Sequence, residues 1–390
     1  MSKESFRALG ASAPVADALA RRSIVEPFSI QSLVLPDALA GVDVLAKSPT
    51  GSGKTIAFAI PIVERTDADD ARPSALVLVP TRELAGQVTE ELRSLGAPLG
   101  VRTAAVYGGM PLRSQAEEAR KAHVVVATPG RLEDLAQRKL VDLSRIRILV
   151  LDEADRMLDM GFKPQVDRIV RRLPGNRQTM FFSATLDGEV GRLASAYTSS
   201  PSRFEAQLPA DRSGGEIEHR FVAVRPDNKV ETLVDHLRAN EGLSLVFVRT
   251  KRGADRLRRK LASQGVRAEA MHGDMTQSAR RRALDRFEGG KVPVLVATDV
   301  AARGLDIDDV EHVINYDPPE EDKGYLHRTG RTGRAGKSGI AITFVLPEQQ
   351  ADASRVAGRL GHREQFEQAG MASARAKLVY TSRRSRRSKW

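Results

Sequence analysis

One stretch of this 390-residue chain occurs twice. Val101-Arg102-Thr103-Ala104-Ala105-Val106-Tyr107-Gly108-Gly109-Met110 aligns with Val266-Arg267-Ala268-Glu269-Ala270-Met271-His272-Gly273-Asp274-Met275, and Val124-Val125-Val126-Ala127-Thr128 aligns with Val294-Leu295-Val296-Ala297-Thr298. The offset drifts only from 165 to 170, so the repeat is a whole domain and not a short motif. Around both copies, short apolar runs alternate with longer, charged, helix-periodic stretches, the pattern of successive β-α units on a parallel sheet. Leu76 to Val79, Val124 to Ala127, Ile148 to Leu151 and Met180 to Phe182 read as strands of a first sheet. Leu245 to Val248, Val294 to Ala297, His312 to Asn315 and Ile340 to Phe344 read as strands of a second. Between them Gln207 to Gly215 is rich in Pro, Ser and Gly and has no periodicity, as a linker does. The reading is an α/β chain of two domains, 1–206 and 217–360, joined by a linker at 207–216 and followed by a basic tail at 361–390. Such sheets take ligands at the carboxyl ends of their strands, and two of them face to face make a cleft.

Composition narrows the classes. A length of 390 residues exceeds what one core usually holds, and 41% hydrophobic with 28% charged residues suits a folded globular protein. The longest uninterrupted apolar run, Ile56 to Val63, is far shorter than a membrane span, so no membrane partner is expected. Asp17, Arg21 and Arg22 interrupt any signal-type segment. The absence of cysteine excludes a disulfide framework or disulfide partner and any Cys-based metal site, which fits a reducing cytoplasm. The net charge of +11 hints at nucleic acid, but 361–390 alone holds eight Lys and Arg against two Glu, so the motifs must decide.

Ser48-Pro49-Thr50-Gly51-Ser52-Gly53-Lys54-Thr55 follows the short strand-like Val42 to Ala46 and runs into an apolar helix start. Glycines let backbone amides wrap phosphates, Lys54 offers a cation to the β and γ phosphates, and the Thr55 hydroxyl can ligate magnesium. Ninety-eight residues beyond Lys54, the strand ending at Leu151 meets Asp152-Glu153-Ala154-Asp155. A carboxylate at a buried strand end is costly unless paired or metal-bound, and in phosphate-loop enzymes that Asp holds the magnesium. Glu153 can polarise the attacking water. In the second half, Leu245 to Val248 is followed by Arg249-Thr250-Lys251-Arg252 with no Gly-Lys-Thr, so one ATP site is expected. That half carries instead His327-Arg328-Thr329-Gly330-Arg331-Thr332-Gly333-Arg334, with arginines spaced to reach across a cleft to a γ phosphate.

With these residues the chain resembles the DEAD-box ATP-dependent RNA helicases of superfamily 2 over about residues 6 to 345. The further strings that carry the resemblance are Pro80-Thr81-Arg82-Glu83-Leu84-Ala85, Gly108-Gly109, Thr128-Pro129-Gly130-Arg131, Ser183-Ala184-Thr185, Gln277-Ser278-Ala279-Arg280 and Thr298-Asp299-Val300-Ala301-Ala302-Arg303-Gly304-Leu305-Asp306. Each is short, and their joint occurrence in family order is highly specific. The resemblance implies two tandem RecA-like domains with ATP and Mg2+ as cofactors. It implies that Gln31 bonds the adenine edge while Phe6 stacks on it, that Ser48 through Thr55 hold the phosphates, and that Asp306 touches the ribose. Asp152 and Thr55 would hold magnesium, with Lys54, Asp152, Glu153, Arg331 and Arg334 as the catalytic groups. Ser183 and Thr185 would bond Asp155 and, with His327 and Arg328, couple nucleotide state to closure. RNA would be held by backbone amides and hydroxyls, largely without base readout. The matching positions in the first half are Pro80, Thr81, Arg82, Gly108, Gly109, Thr128, Gly130 and Arg131. In the second they are Thr250, Gly273, Gln277, Arg280, Thr298 and Asp299.

The stretch Ser23 to Gln31 keeps Pro27 and Gln31, but Ser23, Ile24, Phe28 and Ser29 depart from the family pattern; Ser48 and Thr329 are smaller departures. The expected activity is RNA-stimulated ATP hydrolysis that closes two domains on single-stranded RNA or a short duplex and unwinds it locally or remodels RNA-protein complexes. The alternatives are an ATP-gated RNA clamp with little unwinding and a DNA helicase or translocase on the same fold. Ribosomal or RNA-decay proteins are the kinds of protein partner to expect, and the pathway is open.

Overall fold

The computed structural model describes residues 5–49, 51–206, 215–302, 310–333 and 337–373. The first domain is built on seven strands: β1 Val44–Lys47, β2 Ala75–Leu78, β3 Thr103–Val106, β4 Val124–Ala127, β5 Ile148–Leu151, β6 Gln178–Ser183 and β7 Ser202–Glu205. The second has six: β8 Ile217–Ala223, β9 Leu243–Phe247, β10 Ala268–Met271, β11 Val294–Ala297, β12 Val310–Asn315 and β13 Gly339–Val345. Every recorded pairing is parallel. Parallel strands need crossover helices, which cover both sheet faces and demand apolar residues at consecutive positions. Hence Ala75 and Val77 face one core of the first domain while Leu76 and Leu78 face the other. The second domain repeats this with Val294 and Val296 on one side and Leu295 and Ala297 on the other.

The strand order is β3-β4-β2-β5-β6-β1-β7 in the first sheet and β10-β11-β9-β12-β13-β8 in the second. Apart from the extra edge strand β7, the two orders are the same, with β3 matched to β10 and β4 to β11 as the internal repeat requires. The match also corrects the sequence reading of the second half. Ser48 N donates to Ser183 O at 3.0 Å beyond β1, and Val224 N donates to Val345 O at 3.0 Å beyond β8. The counterpart of the phosphate loop is therefore Val224-Arg225-Pro226-Asp227-Asn228-Lys229, not the segment after Leu245 to Val248. That later segment, after β9, corresponds to the one after β2: Thr250 caps the helix Lys251–Ser263 as Thr81 caps Arg82–Gly96.

Strands β7 and β8 were not anticipated from sequence. Ile217–Ala223 alternates between partly buried and exposed positions, as befits an edge strand, and Glu218, His219 and Arg220 interrupt it, so a search for continuous apolar runs passes over it. Nor is the segment from 361 purely a tail. Arg363–Gln368 is helical and packs its fully buried Phe366 edge-on against Phe221 of β8 at 5.3 Å. The basic end, 374–390, and the linker at 207–214 lie outside the described residues.

Candidate active site and RNA interface

The strand order divides the expected site residues into two groups along one sheet edge. Neighbouring strands β5, β6 and β1 end in Asp152 and Glu153, Ser183, and the phosphate loop. The other half of that edge, β3, β4 and β2, ends in Gly108 and Gly109, Thr128 to Arg131, and Pro80 to Arg82. Nucleotide and RNA candidates thus share one rigid sheet without sharing strands.

In the loop, Gly51 and Gly53 hold φ of +81° and +87°, a region that L side chains rarely adopt. A Cβ on Gly53 would stand 2.5 Å from Gln31 Nε2 and 2.6 Å from the Phe28 ring. Gly53 caps the helix Lys54–Glu64, whose first amides have no partner within the helix and suit an anion. Ser52 donates to Pro49 O at 2.8 Å and shares a short hydrogen bond with Ser48, closing the loop on itself. Lys54 Nζ donates to the carbonyls of Ser48 at 2.8 Å and Pro49 at 2.7 Å, so the lysine lies folded along the turn. Thr55 is half-buried in the first helical turn, and Thr50 lies outside the described residues.

Gln31 is 1% exposed; its Oε1 accepts from Phe28 N at 2.8 Å and its Nε2 donates to Gly53 O at 3.0 Å. The glutamine braces the phosphate loop from behind. Phe6 is 3% exposed inside the first core, which leaves little of its ring open for stacking; the half-buried aromatic beside the loop is Phe28.

Asp152 is 3% exposed. Burial, with a smaller push from Glu153 and Asp155 and against the pull of Lys54, raises its carboxyl to about 7. A buried carboxylate under such strain is the donor that a hard cation would relieve. Among the described residues no cluster of three or more His, Cys, Asp or Glu could hold a metal by itself. The donor set of Asp152 and Thr55 therefore fits a magnesium ion that arrives on nucleotide phosphates.

Glu153 takes up a left-handed backbone, φ +49°, as the N-cap of Ala154–Asp159. Burial works against its charge, but Arg156, whose Nη1 is 2.6 Å from Glu153 Oε2, together with Arg331 and Lys54, holds the carboxyl below its ordinary value. Arg331 belongs to the second domain, so its charge reaches the carboxylate across the cleft. Arg156 was missed by the sequence reading, although it directly follows Asp155. Of the side-chain bonds expected from Ser183 and Thr185 to Asp155, the Ser183 one takes a main-chain form, with Asp155 N donating to Ser183 Oγ at 3.3 Å, while Thr185 N donates to that same oxygen at 3.4 Å. Arg334 and Asp306 lie outside the described residues.

On the other half of the edge, the Arg82 guanidinium covers the Gly108-Gly109 backbone. Cβ atoms there would lie 3.0 and 2.7 Å from its nitrogens. Arg131 Nη1 donates to Met110 O at 2.9 Å and Gln115 Oε1 at 2.7 Å. Pro80 and Thr128 are buried and Gly130 is exposed. The second domain places Thr250, Gly273 and Thr298 at the ends of β9, β10 and β11, matching Thr81, Gly108 and Thr128. Asp299 is bound by Arg328 through two nitrogens, at 2.6 and 2.7 Å. Arg280 and Gln277 both meet Glu83 of the first domain, at 2.9 and 3.2 Å, along an interdomain cavity of about 800 Å3 that Arg82 and Met110 also line. His327 is exposed, and its carbonyl accepts from Arg331 Nε at 3.4 Å.

Residues 28–193 match the family model described as DEAD/DEAH box helicase, and 228–336 match the Helicase conserved C-terminal domain. The chain is 44% identical over 347 residues to the DEAD-box ATP-dependent RNA helicase CshA of Streptococcus pneumoniae, covering 88% of this chain and 66% of that protein. It thus spans just under two thirds of that relative's length. With the CshA of Geobacillus kaustophilus it shares 42% identity over 88% of this chain and 74% of the relative. Among solved structures, Dbp5 of S. cerevisiae bound to RNA and ADP BeF3 superposes with a TM-score of 0.79 at 32% identity, covering 93% of each chain.

Proposed function

This chain belongs to the DEAD-box ATP-dependent RNA helicase family, and from that premise we propose that it hydrolyses ATP under RNA stimulation, closing its two domains on RNA to separate short duplexes or strip bound protein. The observation that carries the reading is the meeting, at one cleft, of Lys54, Asp152 and Glu153 from the first domain with Arg331 from the second, whose charge bears on Glu153. The loop amides and Lys54 would hold the phosphates, and Thr55 and Asp152 would hold a magnesium ion, which when bound would supply positive charge against the phosphates. Glu153 orients the water, and Arg331 with Arg334 stabilises charge that develops during transfer.

Hydrolysis then depends on closure, because the arginines come from the other domain. RNA favours closure by lying across both sheet edges, on the Arg82-covered Gly108-Gly109 turn and on the matching Thr250 and Gly273. Sugar and phosphate contacts of this kind carry affinity without sequence information. In the cytoplasm, where ATP and RNA abound, such a protein takes its targets from partners, from RNA structure or from the basic end. The test is ATP turnover measured alone, with RNA and with DNA of the same sequence, beside displacement of a short RNA duplex. Stimulation of at least tenfold by RNA only, with strand displacement, is expected. Equal stimulation by DNA would overturn the RNA reading, and turnover without displacement would leave a clamp.

A further inference from the structure

The second domain keeps a closed relic of the nucleotide site. Asp152 N donates to Leu78 O at 3.0 Å, and in the duplicate Asp317 N donates to Phe247 O at 3.1 Å, so Asp317 occupies the place of Asp152. Lys229 opens the helix Lys229–Ala239 as Lys54 opens Lys54–Glu64, at the end of a loop one residue shorter and without glycine. In the first domain these two positions serve phosphates and metal. Here they close on each other, with Lys229 Nζ 2.8 Å from Asp317 Oδ1 and 4.0 Å over the Tyr316 ring.

The pair is also a junction. Asp317 Oδ2 accepts from Arg249 N at 2.9 Å, immediately before Thr250. The Asp317 carbonyl accepts from Arg328 Nη1 at 2.7 Å, and the same guanidinium grips both oxygens of Asp299 and reaches Asn315 Oδ1 at 3.1 Å. One residue therefore touches the loop before Thr250 and, through Arg328, both Asp299 and the helix Asp322–Thr329 that leads to Arg331.

We propose that Lys229 and Asp317, a converted nucleotide site, are positioning residues that transmit RNA contact at Thr250 and Asp299 to the arginine segment at 328–331. The inference rests on the helicase reading above. Lys229 is buried and Asp317 about a quarter exposed; a largely buried pair is costly to break singly, whereas replacing both partners with apolar residues of similar size is often neutral for stability. That difference separates scaffolding from coupling.

Full-length chain carrying Lys229→Met with Asp317→Leu should melt within a few degrees of wild type and keep its ATP KM within about twofold. Its RNA-stimulated kcat should nevertheless fall at least tenfold, with a higher RNA concentration at half-stimulation, because nothing then holds Arg249 N and the Asp317 main chain, whose carbonyl Arg328 grips, loses its side-chain anchors on both sides. Asp317→Asn, nearly isosteric and still able to accept from Arg249 N, should lose several-fold and so covers the case in which the double variant does not fold. RNA stimulation recovered together with the melting point in the double variant, or left intact in Asp317→Asn, would reduce the pair to scaffolding and overturn the proposal. Failure of the helicase reading shows separately, in a wild-type chain that RNA does not stimulate, and it takes this inference down with it.

Discussion

Glu153 stands in a left-handed conformation, φ +49° and ψ 48°, that costs a non-glycine residue of the order of 1 kcal/mol, and strain of this kind collects where chemistry needs a group aimed. The conformation turns the carboxylate toward the cleft, where Arg156 tethers it at 2.6 Å. Glu153→Gln keeps the shape and removes the charge. Since the loop, Lys54 and Asp152 are untouched, nucleotide affinity should stay within about threefold while turnover falls roughly 100-fold or more, as measured by ATP binding beside steady-state hydrolysis. Hydrolysis within tenfold of wild type would remove Glu153 from the reaction. The acidic tetrad and the Gly-Lys-Thr were legible in the sequence because backbone geometry and metal chemistry fix residue type at those points. Arg156 was not, because an arginine after an acidic run reads as an ordinary solvated charge until burial shows what it faces.

At the scale of elements, the strands with continuous apolar runs were legible because burial on both faces leaves no other pattern. Strand β8 was hidden because an edge strand half open to solvent admits polar residues such as Glu218, His219 and Arg220 that break its apolar run, and missing it moved the supposed counterpart of the phosphate loop to the wrong segment. The separation of the nucleotide and RNA candidates onto two halves of one sheet edge was equally invisible, since it depends on strand order and not on chain order. Charge offers a related lesson. The helices Arg82–Gly96 and Lys251–Ser263 hold the same place in the repeat, yet the first carries two cations and three acids, and the second six cations and one acid. Ala254, Leu257 and Leu261 bury one face of the second helix, while Arg252, Arg256, Arg259 and Lys260 share the exposed face, with no ion-pair partner among the described residues. That face begins two residues beyond Thr250, so an RNA strand leaving the second domain would meet it. Replacing the four cations with glutamine should make the slope of log affinity against log salt shallower by up to about 0.7 per cation, or about 2.8 in all. An unchanged slope in a salt titration of RNA binding would leave the face merely solvated.

For the whole molecule, the two sheets have separate cores, so each half carries its own folding information, but the proposed chemistry divides between them. The first domain holds the phosphate loop, Asp152 and Glu153; the second keeps only the collapsed Lys229 and Asp317 pair at the matching place and supplies the arginines. Neither half is an enzyme by itself on this view. Residues 1–206 alone should fold, since β7 completes the first sheet beside β1 without help from the second domain, and should bind ATP. Without Arg331 and Arg334, transition-state charge goes unanswered, and removing such arginines typically costs a factor of 10³ or more, roughly 4 kcal/mol. RNA should not restore the rate, because the second set of contacts at Thr250 and Gly273 is missing and closure has nothing to close. Adding the second domain, residues 217–373, as a separate chain should recover only a small fraction of turnover at micromolar concentration, since the linker no longer supplies the effective concentration that makes docking intramolecular. The measurement is RNA-stimulated hydrolysis by the fragment, by the mixed pair and by the intact chain. Turnover by the fragment within tenfold of the intact chain would show that the first domain completes the reaction alone, and the divided site would have to be abandoned.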